Sequence, residues 1–312
     1  MADKMATREA YGKVLVEIGS ENPDLVVMDA DLSGSTKTGD FKKVFPERFF
    51  NMGIAEQNLY GVAAGLALSG KTVCASTFAM FASGRAFEII RNSIGYTHAN
   101  VKVCATHAGI TVGEDGASHQ TFEDLALMRT IPGMTVVNPS DGLSTAELMR
   151  QVVAMNGPAY VRLGRAAVPF AYTEDNVKSI KLGKGNVLRE GKDCAVIATG
   201  IMVNEALMAA DELAAEGISC EVVDMHTIKP IDAELIVELS NKFGKIVTAE
   251  EHSIIGGLGS AVAEVTSTHA PCKIYMVGQL DTFGESGKPE ELKAKYGMTK
   301  ADIIKGVKTL CK

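Results

Sequence analysis

The 312-residue sequence predicts an α/β protein with two parallel or mostly parallel sheet domains. Three observations carry that expectation. Short β-rich runs recur along the chain, among them DLVVMDADL, TVCASTF, VKVCATH, CAVIATG and SCEVVDM. The stretches between them space their apolar residues as helices do, which is the order of βαβ units. The texture then changes around residues 170–192, where YTEDNVKSIKLGKGNVLREGKD is charged, glycine-containing and weakly periodic, as a linker is. This places one domain at 1–180 and a second at 181–312.

The elements follow in order. A helix over Ala6 to Gly19 leads to the strand DLVVMDADL and then to SGSTKTG, whose small polar residues read as a loop. A helix follows IAEQ, and its run of Ala and Gly predicts close packing and burial. The strand TVCASTF, a helix through RAFEIIRNSI and the strand VKVCATH come next. TVVNPSD, the helix LSTAELMRQVVAM and the strand AYVRLGR complete the first unit. The second begins with CAVIATG, passes through the helix NEALMAADELAAEG to SCEVVDM, and includes KIVTAEE. GGLG at 256–259 lacks the full GxGxxG of a dinucleotide loop and reads as tight helix packing.

Composition narrows the function classes. Hydrophobic residues are 46% and charged residues 22%, as in a soluble globular protein. A net charge of -7 argues against nucleic-acid binding, while leaving room for a local basic pocket that recognises a phosphorylated small molecule. The six cysteines show no CxxC spacing, and most lie in apolar runs where a free thiol acts as a small hydrophobe. The N-terminal stretch lacks the basic start and apolar core of a signal peptide, and no apolar stretch is long enough to cross a bilayer. The expectation is a cytoplasmic protein with no membrane partner.

Candidate chemistry clusters in a few places. Glu56 opens a helix; the helix dipole alone accounts for an isolated Glu there, but a buried one needs a partner and could face a protonated heteroaromatic nitrogen. Phe78 and Phe81, three apart, are expected on one helix face, either in the core or stacking on a cofactor. Arg85 reads as a surface or interface charge. His107 ends a strand, where α/β proteins bind ligands, and Asp115 and His119 follow in GEDGASHQ. Two imidazoles and a carboxylate suit proton handling around a polyhydroxylated substrate. Zinc fits poorly, because no helical HExxH-type ligand pair is present. Arg8, Ser35 in SGSTKTG, and the pair Arg162 and Arg165 suit phosphate oxygens together, although each alone reads as a surface charge or turn.

Together these stretches resemble the C-terminal half of a transketolase, its pyrimidine-binding domain followed by its C-terminal domain. The segment THAGITVGEDGASHQTFEDLALMRTIPGMTVVNPSD carries the resemblance most specifically, with GIAEQ, STF and DADLSGS in support. The resemblance implies thiamine diphosphate with a divalent metal, Mg2+ or else Ca2+ or Mn2+. It implies that Glu56 hydrogen-bonds the pyrimidine nitrogen, that Phe78 and Phe81 stack on that ring, and that Asp31 lies near the cofactor at a subunit interface. His107, Ser35, Arg8 and Arg165 match positions that bind a sugar phosphate. Asp115 and His119 match those that contact its hydroxyls and carbonyl region, so His107 and His119 join Glu56 as implied catalytic residues. Family members pass a two-carbon ketol unit from a ketose phosphate to an aldose phosphate, the cofactor supplying the carbon–carbon cleavage.

The chain departs from the family at Gly84, where some members carry a third aromatic, and at His107-Ala108-Gly109, where the family has His-Asp-Ser. No GDG motif with a downstream Asn, the family's diphosphate and metal site, is found. The resemblance therefore implies a separate N-terminal subunit holding the diphosphate and metal, in an α2β2 assembly, with no metal ligand on this chain. Alternatives are a 1-deoxyxylulose-5-phosphate synthase, a 2-oxo-acid dehydrogenase β subunit, and a non-catalytic assembly subunit. The two histidines around EDG favour transketolase, since a ketose phosphate needs more hydroxyl contacts than pyruvate.

Overall fold

The computed structural model describes residues 4–312. A seven-stranded sheet has the spatial order Thr227–Lys229, Thr135–Val137, Ala159–Arg162, Val101–Thr106, Thr72–Phe78, Leu25–Asp29 and Phe49–Asn51. All of its pairings are parallel except that of the Thr227–Lys229 edge. A five-stranded sheet runs Lys273–Gln279, Lys245–Ser253, Cys194–Ala198, Cys220–Asp224 and Asn186–Arg189, antiparallel only at the last pairing. Both sheets are therefore parallel-dominated, as the alternation of strand and helix predicts. A short antiparallel pair, Lys4–Ala6 with Ala167–Pro169, closes the first unit.

The central strands are largely apolar because both faces are covered. Val26, Met28, Val73 and Ala75 enter one core with Leu59 and Tyr60 of the Glu56–Leu68 helix. The alternate residues Leu25, Val27 and Cys74 enter another with Tyr11 and Leu15 of helix Thr7–Glu21 and Leu148 of helix Gly142–Ala154. The first core continues through Ala195, Ile197 and Val223 of the second sheet and Met225 just beyond it. The two units thus share apolar interior, and the second lends the first its Thr227–Lys229 edge.

Three local expectations change. SGSTKTG forms two short helices, Ser33–Thr36 and Thr38–Val44, broken at Lys37 with φ 70. Buried Asp29 organises them by accepting from the hydroxyls of Thr36 (2.6 Å) and Thr38 (2.9 Å). The 170–192 stretch is partly built in: Tyr172, Val177 and Ile180 are buried, and Asn186–Arg189 is a strand. Asp141 holds its start, accepting from the Ala171 and Tyr172 amides. The Glu56–Leu68 helix is only half covered. Gly61, Val62 and Gly65 are exposed, because the small residues there line an open face.

GGLG does open a helix, Leu258–His269, whose first amides, those of Leu258 and Gly259, donate to buried Glu250 at 2.7 and 2.8 Å. All six cysteines are free, and Cys74, Cys104, Cys194 and Cys220 are buried. No helix among the described residues is long and apolar enough to cross a membrane.

Candidate active site at the carboxyl edge of the first sheet

Parallel α/β sheets gather ligands where their strands end. Here the ends of Thr72–Phe78 and Val101–Thr106 deliver Phe78 and His107, while the chain beyond Phe49–Asn51 delivers Glu56. Phe78 ends a strand and Phe81 starts a π-helical turn, Phe81–Arg85, so they do not share a helix face. Their rings still lie 6.1 Å apart and nearly parallel.

Glu56 is the first residue of its helix and is buried. Arg85 reaches back to it, Nη1 donating to Oε2 at 3.2 Å and to Oε1 at 3.4 Å, while its guanidinium lies 4.9 Å from the Phe81 ring centre. Half-exposed Arg85 is thus Glu56's partner rather than a free surface charge. A flat nitrogen donor lying on Phe81 and bonded to Glu56 is also what a protonated aminopyrimidine presents. The carboxylate and ring therefore fit the pyrimidine of thiamine diphosphate, provided Arg85 yields its place.

His107 is buried, in the left-handed region at φ 57, with its ring stacked on Phe78 at 3.9 Å. Arg8 Nη1 donates to its Nε2 at 3.4 Å, which leaves the ring proton on Nδ1 to donate to Thr106 Oγ1 at 2.9 Å. Burial pushes its pKa down to about 3, helped by Arg8, Arg165, His119 and Lys37, so the imidazole is neutral at ordinary pH. His119 sets its edge against Phe81 at 5.3 Å and Phe78 at 6.2 Å, and its Nδ1 contacts Ser118 Oγ at 2.9 Å.

Arg8 Nη1 also donates to the backbone carbonyl of Ser35 at 2.7 Å, so that carbonyl, and not the Ser35 hydroxyl, meets the arginine. Arg8 Nε is buried without a partner. Burial draws the guanidinium below its usual pKa, with Glu9 opposing and Arg165 adding to the shift. An anion would satisfy both the free donor and the crowded charge. Arg165 Nη1 donates to Val112 O and to Glu114 Oε2, the latter at 2.9 Å, which ties it to the GEDGASHQ loop.

Asp115 is exposed at the end of the 3-10 turn Ile110–Asp115. Asp31, with φ 64, exchanges hydrogen bonds with Asn51: its amide donates at 3.0 Å and its Oδ1 accepts at 2.8 Å. Arg162 is a correction. It is buried and donates to Asp124 Oδ2 at 2.8 Å and to the Glu251 carbonyl at 2.9 Å, so its charge is spent inside the protein and no phosphate reaches it. Lys37, whose charge helps lower the His107 pKa, escapes sequence reasoning, which reads Arg85 only as a surface or interface charge. Their clue was proximity in sequence to Ser35 and Phe81, which is weak without the fold. No three His, Cys, Asp or Glu side chains among the described residues converge as a metal site requires.

The class of protein comes from the match of both sheet domains to known families. Residues 3–170 match the transketolase pyrimidine-binding domain, and residues 183–303 match the transketolase C-terminal domain. The chain belongs to the transketolase family. It is similar to the putative transketolase C-terminal section of Methanocaldococcus jannaschii, 52% identical and covering 96% of this chain and 94% of that one. The 6-deoxy-6-sulfo-D-fructose transketolase subunit SqwH of a Clostridium species is 41% identical over 96% of this chain and 92% of its own length. Rat transketolase is 36% identical over 99% of this chain, which spans 50% of that enzyme. A solved split-gene transketolase, described as an inactive β4 tetramer, superposes with a TM-score of 0.92 at 57% identity, covering 99% of this chain and 100% of that one.

Proposed function

We propose that this chain is the C-terminal subunit of a thiamine-diphosphate-dependent transketolase, working in the cytoplasm with a separate N-terminal subunit in an α2β2 assembly. The observation that carries the reading is one unbroken contact path, Glu56–Arg85–Phe81–Phe78–His107–Arg8, with His119 against both phenyl rings. It joins a pyrimidine-type subsite to a phosphate-type subsite through two imidazoles. The subunit sections among the relatives, and the half-length match to rat transketolase, support the split.

The residues divide the work. Glu56 accepts from the cofactor's ring nitrogen once Arg85 withdraws, and Phe78 and Phe81 wall that ring. Neutral His107 keeps an unprotonated Nε2 that accepts from Arg8 and can accept from a substrate hydroxyl in its place, and His119 and Asp115 face the sugar's hydroxyls. Arg8 and Arg165, with the backbone near Ser35, hold the phosphate. Asp31 stands near the cofactor where the partner meets this chain. Thiamine diphosphate, when bound, supplies the carbon–carbon cleavage, and its diphosphate and Mg2+ are held by the partner subunit. The substrates are sugar phosphates of pentose phosphate type, and the division into two domains falls near residue 180.

The test mixes this chain with the N-terminal subunit, thiamine diphosphate, Mg2+, xylulose 5-phosphate and ribose 5-phosphate. Ketol transfer should require both chains and fall at least about 100-fold in Glu56→Gln, since a preorganised charge contact typically carries two to three orders of magnitude. Full activity in this chain alone would remove the split-enzyme reading. Decarboxylation of a 2-oxo acid with no ketol transfer would move the chain to another thiamine class.

A further inference from the structure

The loop from His107 to Gln120 carries two histidines, Asp115 and the Glu114 contact to Arg165, yet its supports come from the second domain. Glu251, on the Lys245–Ser253 strand, is buried and accepts from the Thr111 amide through Oε1 at 2.7 Å. The fit is close. A Cβ on Gly109, where φ is +78, would come within 2.3 Å of the Glu251 carboxyl carbon. A second tether lies across the loop, where Gln120 Nε2 donates to the Glu285 carbonyl at 2.9 Å and to the Gly113 carbonyl at 3.3 Å. The Ser253 amide adds a third by donating to the Phe122 carbonyl at 3.0 Å.

Glu251 faces the loop's backbone at Gly109 and Thr111. Its carboxylate fixes the amide at the start of the 3-10 turn. That turn carries the Val112 carbonyl and Glu114, the two acceptors that aim Arg165. Arg162, whose Nη1 lies 3.9 Å from Glu251 Oε2, keeps its own closer partner in Asp124, and Lys293, which also acts on Glu251, is paired with Glu205. The Glu251–Thr111 bond is therefore a tether and not half of an essential ion pair.

We propose that Glu251 is a positioning residue, through which the C-terminal domain sets the substrate loop and, by way of that loop, the phosphate grip of Arg165. This gives the second domain a part in recognising the sugar phosphate. The inference rests on the transketolase reading for its substrate, whereas the tether itself is a property of this chain.

Two measurements test it. In the assembled enzyme, Glu251→Ala should raise KM for xylulose 5-phosphate roughly tenfold with kcat changed far less, because small displacements of a binding group cost affinity first. Glu251→Gln keeps the acceptor oxygen and should restore a near-native KM. In the subunit alone, hydrogen exchange of the 107–122 amides should accelerate in the Ala variant and not in the Gln variant, with the Thr72–Phe78 strand unchanged in both. Equal KM and equal loop exchange in all three proteins would overturn the inference. So would equal loss in Gln and Ala, which would assign the effect to buried charge instead of the tether. If the unsubstituted enzyme shows no ketol transfer, the proposed function fails, and the exchange experiment still decides whether Glu251 holds the loop.

Discussion

His107 illustrates how far a single residue can be read from sequence. Its place at a strand's carboxyl end was legible in VKVCATH, but its protonation state was not, because that state depends first on burial and then on Arg8, Arg165 and Lys37 from other segments and on His119 further along its own loop. The shift carries a stability consequence with a definite sign. The folded pKa of about 3 lies below the unfolded value near 6.5, so the unfolded chain binds more protons between those limits. His107 therefore costs the native state stability as pH falls from about 6.5 toward 3. His107→Gln should lose less than the parent over that range, the gap closing or reversing by up to about 1.4 kcal/mol per pH unit. Denaturant unfolding at pH 7, 6 and 5 reads this directly. Parallel pH profiles for the two proteins would show that the imidazole titrates in the fold as it does in the unfolded chain. Arg162 marks the opposite limit: two arginines in YVRLGR look alike in sequence, yet one grips Asp124 in the interior and the other reaches the loop.

Elements were legible where periodicity decided them and obscure where a few buried polar contacts did. The parallel strands announced themselves as apolar runs because both faces are covered. SGSTKTG looked like a loop because its helices are short and rest on the Asp29 carboxylate, a tertiary cause that leaves no periodic trace. Lys102 makes the same point in the Val101–Thr106 strand. It is fully buried, and its Nζ donates to the carbonyls of Met155 (2.9 Å) and Gly157 (2.7 Å), just beyond the end of helix Gly142–Ala154. Burial lowers its pKa to about 8, opposed by Cys74 and Cys104. Lys102→Met preserves the apolar stem but leaves both carbonyls without their donor, an expected loss of about 2–4 kcal/mol. The helix end and the strand should loosen together, visible as faster exchange at residues 150–158. A variant as stable as the parent would mean that water satisfies those carbonyls.

At the scale of the whole molecule, the open face of helix Glu56–Leu68 is the feature that the fold leaves unfinished. Val62 and Leu68 are exposed on it, Gly61 and Gly65 leave clear space, and Ile54 and Phe50 continue the apolar surface beyond its N-terminus. Two glycines four apart allow another backbone to approach closely, and the same helix begins with Glu56. A subunit seated on this face would therefore lie beside the end of the site where the cofactor's ring is expected. The exposed apolar face itself predicts that this chain alone associates with a second copy, and on the proposed split-enzyme reading the N-terminal subunit competes for the same surface. Val62→Arg places a long charged side chain on the face without touching either core, so the subunit's unfolding free energy should move by no more than about 0.5 kcal/mol. Light scattering should then find a smaller particle both with and without the partner, with ketol transfer lost in proportion. If the variant keeps its self-association and its activity, the assembly surface lies elsewhere, and the bare helix face must be explained without a subunit.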